Sequence, residues 1–429
     1  MKTLPIRALP PDTAGATGPW RFAHLMSAPH RLAFAAGAAM LALTALWWAL
    51  VLVARQAAIT LPWVLAPSTA HGLLMALGYM PFFITGFAFT AGPRWLGLPD
   101  VPATALRAPL LSMLGGWLFA LLGIHLNAAL AAVGVAAVAL GWSTIARRFF
   151  GLLRSSVVPD QLHPRLLAAT SVLGALALWA AAASLALGDD TLLRAATRLA
   201  LWGFLAPLFV TVGHRMLPFF TASALPLQRA WRPNALLWVM LAVVLSELPF
   251  ALAELWWWPL PAAARWAQVG IELPAALLLL WLALRWGLLQ SLKIRLLAML
   301  HTGFLWLGLT FALSAASHAL MAWRGPEQSL GLAPLHALTM GYLGSTLLAM
   351  ATRVTAGHSG RPLAADDIAW ALFWALQVAV LLRLASALWP ALAAPLLLAA
   401  VASWALAMVG WALRYGRWLG RPRADGRPG

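Results

Sequence analysis

The chain is predicted to be an all-α polytopic membrane protein: an integral bundle of about twelve transmembrane helices with both termini in the cytoplasm. Three observations predict it. Of 429 residues, 62% are hydrophobic and 10% charged, and mean hydropathy is +0.83, beyond the usual range of soluble globular chains. Apolar stretches of roughly 20 residues, enough to cross a ~30 Å hydrocarbon core, recur about twelve times between Arg, Pro, Gly and Asp punctuation. They lack the alternation of barrel strands, so helices are the spanning form. The basic residues also alternate sides: of 29 Lys and Arg, 23 fall in the N-terminal segment, the even-numbered loops and the C-terminal tail, and 5 in the odd-numbered loops. By the positive-inside rule this places both termini in the cytoplasm and requires an even number of spans.

The expected spans are 32–54, 68–91, 108–124, 127–146, 166–187, 197–217, 234–254, 265–285, 296–320, 333–352, 367–389 and 392–413. The first ends at Arg55, and the second closes on Gly92 and Pro93. The third and fourth share one apolar stretch broken near His125 and Asn127. Asp189 and Asp190 separate the fifth from the sixth, and Arg232 and Pro233 precede the seventh. Pro274 falls within the eighth, Arg295 precedes the ninth, Arg353 follows the tenth, and Asp366 and Asp367 open the eleventh. With residues at the very edge of a span assigned to the adjacent loop, Arg383 alone among the basic residues lies inside a span.

Three regions follow: a flexible cytoplasmic segment over 1–31, a membrane domain over 32–413 and a basic cytoplasmic tail over 414–429. The first region lacks the apolar core and cleavage site of a removed signal peptide. A net charge of +17 is spread over seven cytoplasmic segments, which marks topology and contact with lipid headgroups and argues against nucleic acid. Cysteine is absent, so disulfides, thiolate metal sites and thiol catalysis are excluded. Any metal must use His, Met, carboxylate or Tyr.

Two spans open with a histidine and close on the same tripeptide: HGLLMALGYMPFFITGFAFTAG from His71 and HALTMGYLGSTLLAMATRVTAG from His336. Met75 and Met340 follow each histidine by one helical turn, as core side chains or as soft ligands. Imidazole is a common ligand for haem iron and copper, and it is costly at membrane depth without a partner. His71 and His336 share the outer level, so the expectation is a haem between them, or a hydrogen-bonded pair. His318 and His125 are further outer candidates, adding nitrogens for copper.

His214, His301 and His358 fall at the inner level, as cofactor ligands, proton carriers or headgroup contacts. His301 and His318 are ~25 Å apart along one helix and cannot share a site. His24, His30 and His163 are expected to be solvated in cytoplasmic segments. Glu247 and Glu272 are intramembrane carboxylates, read equally as a proton relay or as interfacial groups. Trp256 to Trp258 fit an interfacial belt. Arg215, Arg353 and Arg361 match haem propionates or lipid phosphates, although the positive-inside pattern already accounts for them.

HALTMGYLGSTLLAMATRVTAGHSGRP, from His336 to Pro362, resembles the most recognisable stretch of the NnrS family. HGLLMALGYMPFFITGFAFTAGPRWLG, GHRMLPFFT and LHTGFLWLG resemble the family's second, sixth and ninth helices in the same order. The resemblance implies a twelve-helix bacterial inner-membrane protein containing haem and copper, linked to nitric oxide stress and denitrification. It implies cofactor roles for His71, His301, His336 and His358, with Arg353, Gly357, Gly360 and Arg361 completing the loop after helix ten. Thr69 and Gly72 stand where many members carry a histidine and a glutamate, so haem is implied more directly than copper.

The resulting expectation is a membrane haem or haem-copper protein that binds nitric oxide or transfers electrons with a redox partner. The alternatives are a proton-coupled secondary transporter and a non-catalytic sensor or handler of haem or metal.

Overall fold

The computed structural model describes residues 18–225 and 229–426. Among the described residues, eleven helices are long and apolar enough to cross a membrane. They are α1 (Pro29–Gln56), α2 (Pro67–Trp95), α3 (Thr104–Leu126), α4 (Ala128–Ser155), α5 (Leu162–Leu187) and α6 (Asp190–Ala224), then α7 (Asn234–Trp256), α8 (Ala262–Arg285), α9 (Arg295–Arg324), α11 (Asp367–Leu388) and α12 (Ala393–Leu419). The twelfth, α10, runs without a break over 333–358 as segments of 4, 8 and 14 residues. All twelve expected spans are therefore helical. Among the described residues there is no strand.

Local chemistry explains the boundaries. Asn127 caps α4 by accepting the Ala129 and Leu130 amides, Asp189 caps α6 through Leu192, and Asp366 caps α11 through Ala369. Pro29 and Pro67 occupy the first turns of α1 and α2, where their missing amide leaves no helical bond unmade. Glycines set the α3–α4 spacing. Gly116 lies against the Gly134 carbonyl and Gly123 against the Ala131 backbone, so the two backbones touch where any side chain would intrude.

The helices carrying the sequence motifs are the central ones. In α2, α6 and α9, 83%, 78% and 72% of the apolar window is buried, against 28–50% in the other eight candidate spans. Three of the central helices are also irregular. α2 breaks at Gly78 and Tyr79 before Pro81, and α6 carries a wide π-helical turn over Leu199–Leu205 just before Pro207. Proline cannot return an amide to the carbonyl a turn earlier, so the helix must loosen there. α10 carries a second π-helical turn over Ala337–Gly344, directly after His336. There Gly341 lies flat on Trp306 of α9, and a Cβ would sit 2.7 Å from that ring.

The first and last described segments of the chain meet at one end, here called the terminal end. The Arg21 amide donates to the Gly420 carbonyl at 2.8 Å, and the Ala424 amide to the Ser359 carbonyl at 2.9 Å. Arg31 donates from Nη1 to the Leu419 and Arg421 carbonyls at 3.2 and 2.7 Å. An even number of crossings places these two segments on the same side. The flexible segment expected over 1–31 falls largely on 1–17, outside the described residues, and α1 already begins at Pro29. The tail expected from 414 is helical as far as Leu419.

Candidate functional site

At the distal end, opposite the termini, the two motif histidines come together. His71 lies in the second turn of α2, stacked on the Trp48 indole of α1 with ring centroids 3.9 Å apart and planes 22° from parallel. Its Nδ1 is shut off from solvent and, among the described residues, has no hydrogen-bond partner. His336 ends the first turn of α10, and its Nδ1 lies 2.9 Å from the Leu332 carbonyl. Nδ1–H therefore donates to that carbonyl, and Nε2 carries the free lone pair. The two imidazoles lie within electrostatic reach of each other and of Arg383 on α11.

An aromatic array backs this pair. Trp48 neighbours Trp47 at 5.8 Å, and Trp63 lies 4.5 Å from the His125 ring. Trp47 Nε1–H donates to His125 Nε2 at 2.9 Å, so His125 donates from Nδ1 to the Pro62 carbonyl, also at 2.9 Å. Both His125 nitrogens are thereby engaged. His318 meets the two Glu272 oxygens from Nδ1 at 2.8 and 2.9 Å. The outer histidines are thus not gathered into one cluster: among the described residues no three His, Asp or Glu side chains are placed to hold a metal ion.

A second layer of imidazoles lies at the terminal end and corrects one expectation. His30 and His163, expected to be solvated, are buried. The His30 ring lies 4.3 Å from that of His358, with its Nδ1 3.4 Å from Thr90 Oγ1. His163 stacks on His214 at 5.4 Å. His214 donates from Nε2 to the Pro233 carbonyl at 3.2 Å, so its Nδ1 accepts from His163 Nε2–H at 3.1 Å. Both misread histidines adjoin a proline at a helix start, Pro29 and Pro164, which reads as a loop edge. The C-terminal segment held by Arg31 lies beside His30, and His214 and Arg215 of α6 close over His163. His24 is only half-buried, beside the Gly420 carbonyl.

His301 is fully buried. Thr221 donates to the Leu217 carbonyl at 2.9 Å and accepts from His301 Nε2 at 2.8 Å, which leaves His301 Nδ1 buried and unpartnered. Arg353 lies over Phe220 at 4.0 Å and Arg361 over Trp418 at 4.3 Å. Around His30 and His358 stand Arg31, Arg94 and Arg423, a concentration of positive charge unfavourable to a bare cation.

The donor chemistry of the distal pair decides what it can hold. A bare copper or zinc ion needs three or more protein ligands, whereas haem iron brings four nitrogens of its own and asks the protein for one or two. Two imidazoles without a nearby carboxylate match the second demand. Arg383 adds a positive charge suited to a propionate. Sequence reading missed Trp48 and did not connect Arg383 to the pair, although an arginine inside a span is a functional signal by itself. A separate apolar cavity of about 50 Å³ lies among α1, α2, α6 and α10, lined by Phe34, Phe83, Phe209 and Met350. It is far below the roughly 300 Å³ of a ligand pocket.

A protein-family sequence model described as NnrS protein matches residues 24–423, nearly the whole chain. No curated protein matches it.

Proposed function

The chain belongs to the NnrS family, a group of multi-pass membrane proteins linked to the nitric oxide response, and from that premise we propose that it is a haem protein whose iron is held between His71 and His336. One observation carries this reading: two imidazoles from separate central helices meet at the distal end, one with its Nδ1 braced by a backbone carbonyl and its Nε2 free, the other with a buried unpartnered nitrogen. A brace on the non-ligating nitrogen is the usual outer-shell arrangement of a metal-bound histidine.

Bound there, haem would supply one-electron chemistry, and nitric oxide could reach the iron only if His71 or His336 gave way. The residues of this chain orient and shield it. Leu332 sets the His336 tautomer, Trp48 fixes the plane of the His71 ring, and Arg383 contributes positive charge. The wide turn after His336 follows the pattern of π-helical turns at functional sites. The family resemblance supports placement in a bacterial inner membrane, a role in nitric oxide stress or denitrification and a redox partner. The remaining family positions, His301, His358, Arg353 and Arg361, lie in the terminal half, where His301 Nδ1 is buried and unpartnered among the described residues.

Detergent-purified protein from haem-replete cells tests the reading. A Soret band with stoichiometric iron, perturbed by added nitric oxide, is expected. Colourless, iron-free protein would overturn it and leave transport as the better account.

A further inference from the structure

The chain has four glutamates, and three of them, Glu247, Glu254 and Glu272, meet between α7 and α8. Glu247 lies nine residues before the end of α7 at Trp256, and Glu272 ten residues after the start of α8 at Ala262. At ~1.5 Å per residue both sit roughly 14 Å from the distal helix ends, near the middle of a ~30 Å hydrocarbon core.

The facing groups can be counted. From α7 come Glu247 and Glu254; from α8, Arg265, Gln268 and Glu272; from α9, His318; and from the start of α6, Arg198. Glu254 is paired with Arg265, which also donates to Gln268 at 2.9 Å, and Arg198 lies within reach of Glu254. Glu272 is 0% exposed and accepts from His318 Nδ1. Glu247 is 7% exposed and, among the described residues, has no hydrogen-bond partner. With every carboxylate ionised and His318 neutral, three negative charges face two positive ones. An uncompensated charge at this depth is expensive, and one added proton removes it.

We infer that Glu247, Glu272 and His318 form an intramembrane proton-holding site, in which one exchangeable proton is carried on the unpartnered Glu247 carboxyl and is passed to the Glu272–His318 pair. The step is a transfer between oxygens and nitrogen with no electron moved: Glu247 gives up O–H, and Glu272 or His318 gains it. The proton enters and leaves on the distal side, where Glu254 is a quarter exposed and its partner Arg265 lies over Trp258. The inference does not depend on haem at His71 and His336.

Infrared spectroscopy of purified protein labelled with ¹³C only at the glutamate carboxyl group tests it. The eight aspartates remain unlabelled, so a ¹³C-shifted carbonyl stretch of a protonated acid reports these glutamates and exposed Glu327 alone. The account expects such a band at neutral pH, shifting in D₂O within minutes, lost in Glu247→Gln and moved in His318→Gln. No labelled acid band at neutral pH, or a band that resists exchange for hours, overturns the inference. So does a band that persists unchanged in folded Glu247→Gln. Should that variant fail to fold, the band and its exchange in the wild-type protein decide.

Discussion

The Trp48 indole lies almost parallel to the His71 imidazole, 3.9 Å away, and fixes the ring of a histidine whose Nδ1 has no other partner. Replacing that indole frees the ring without touching the nitrogens. Trp48→Leu is therefore expected to weaken haem retention by roughly 10-fold, as loss of an outer-shell support does. Haem transfer to apomyoglobin measures it, and a transfer rate equal to that of the wild type contradicts the role given to Trp48.

Arg383 supplies a positive charge within reach of both distal histidines. A nearby cation disfavours the ferric state, so removing it lowers the reduction potential. Arg383→Leu is expected to move the midpoint negative by on the order of tens of millivolts. Potentiometric titration of the Soret band reads the shift, and a positive shift would exclude the placement.

The stacked His163–His214 pair predicts a stability effect independent of any cofactor. His163→Ala leaves His214 Nδ1 buried without its donor, at a cost of about 1–3 kcal/mol. Thermal unfolding in detergent should show a clear fall in midpoint for His163→Ala and little change for half-buried His24→Ala.

This pair also shows where sequence reading stopped. All twelve spans were legible because hydropathy and the alternation of arginines are one-dimensional signals, and His71 and His336 were legible as partners because depth along a helix is counted in residues. Burial of His30 and His163 was not, since the first depends on chain segments 390 residues apart meeting at one end and the second on α6 packing against the start of α5. The approach of Trp48 and Arg383 to the motif histidines is set by how helices rotate against each other, which an apolar pattern on every face leaves open. The π-helical turn in α6 had a visible cause in Pro207, while the one in α10 has no proline within it.

The backbone contact between α3 and α4 gives another outcome. A side chain at Gly134 meets the Ala120 backbone and the Gly116 carbonyl. Gly134→Leu should force the helices apart and destabilise the protein by about 1–3 kcal/mol or more, whereas Gly151→Leu, with open space around it, should be tolerated. Equal melting temperatures for the two variants would refute this packing.

Whether two imidazoles from α2 and α10 hold one iron is read from the haem spectra of His71→Ala and His336→Ala, purified separately. Each variant is expected to lose haem or change its Soret and α-band positions, and the double variant is expected to be colourless. Unchanged spectra and iron content in both single variants would contradict this ligation.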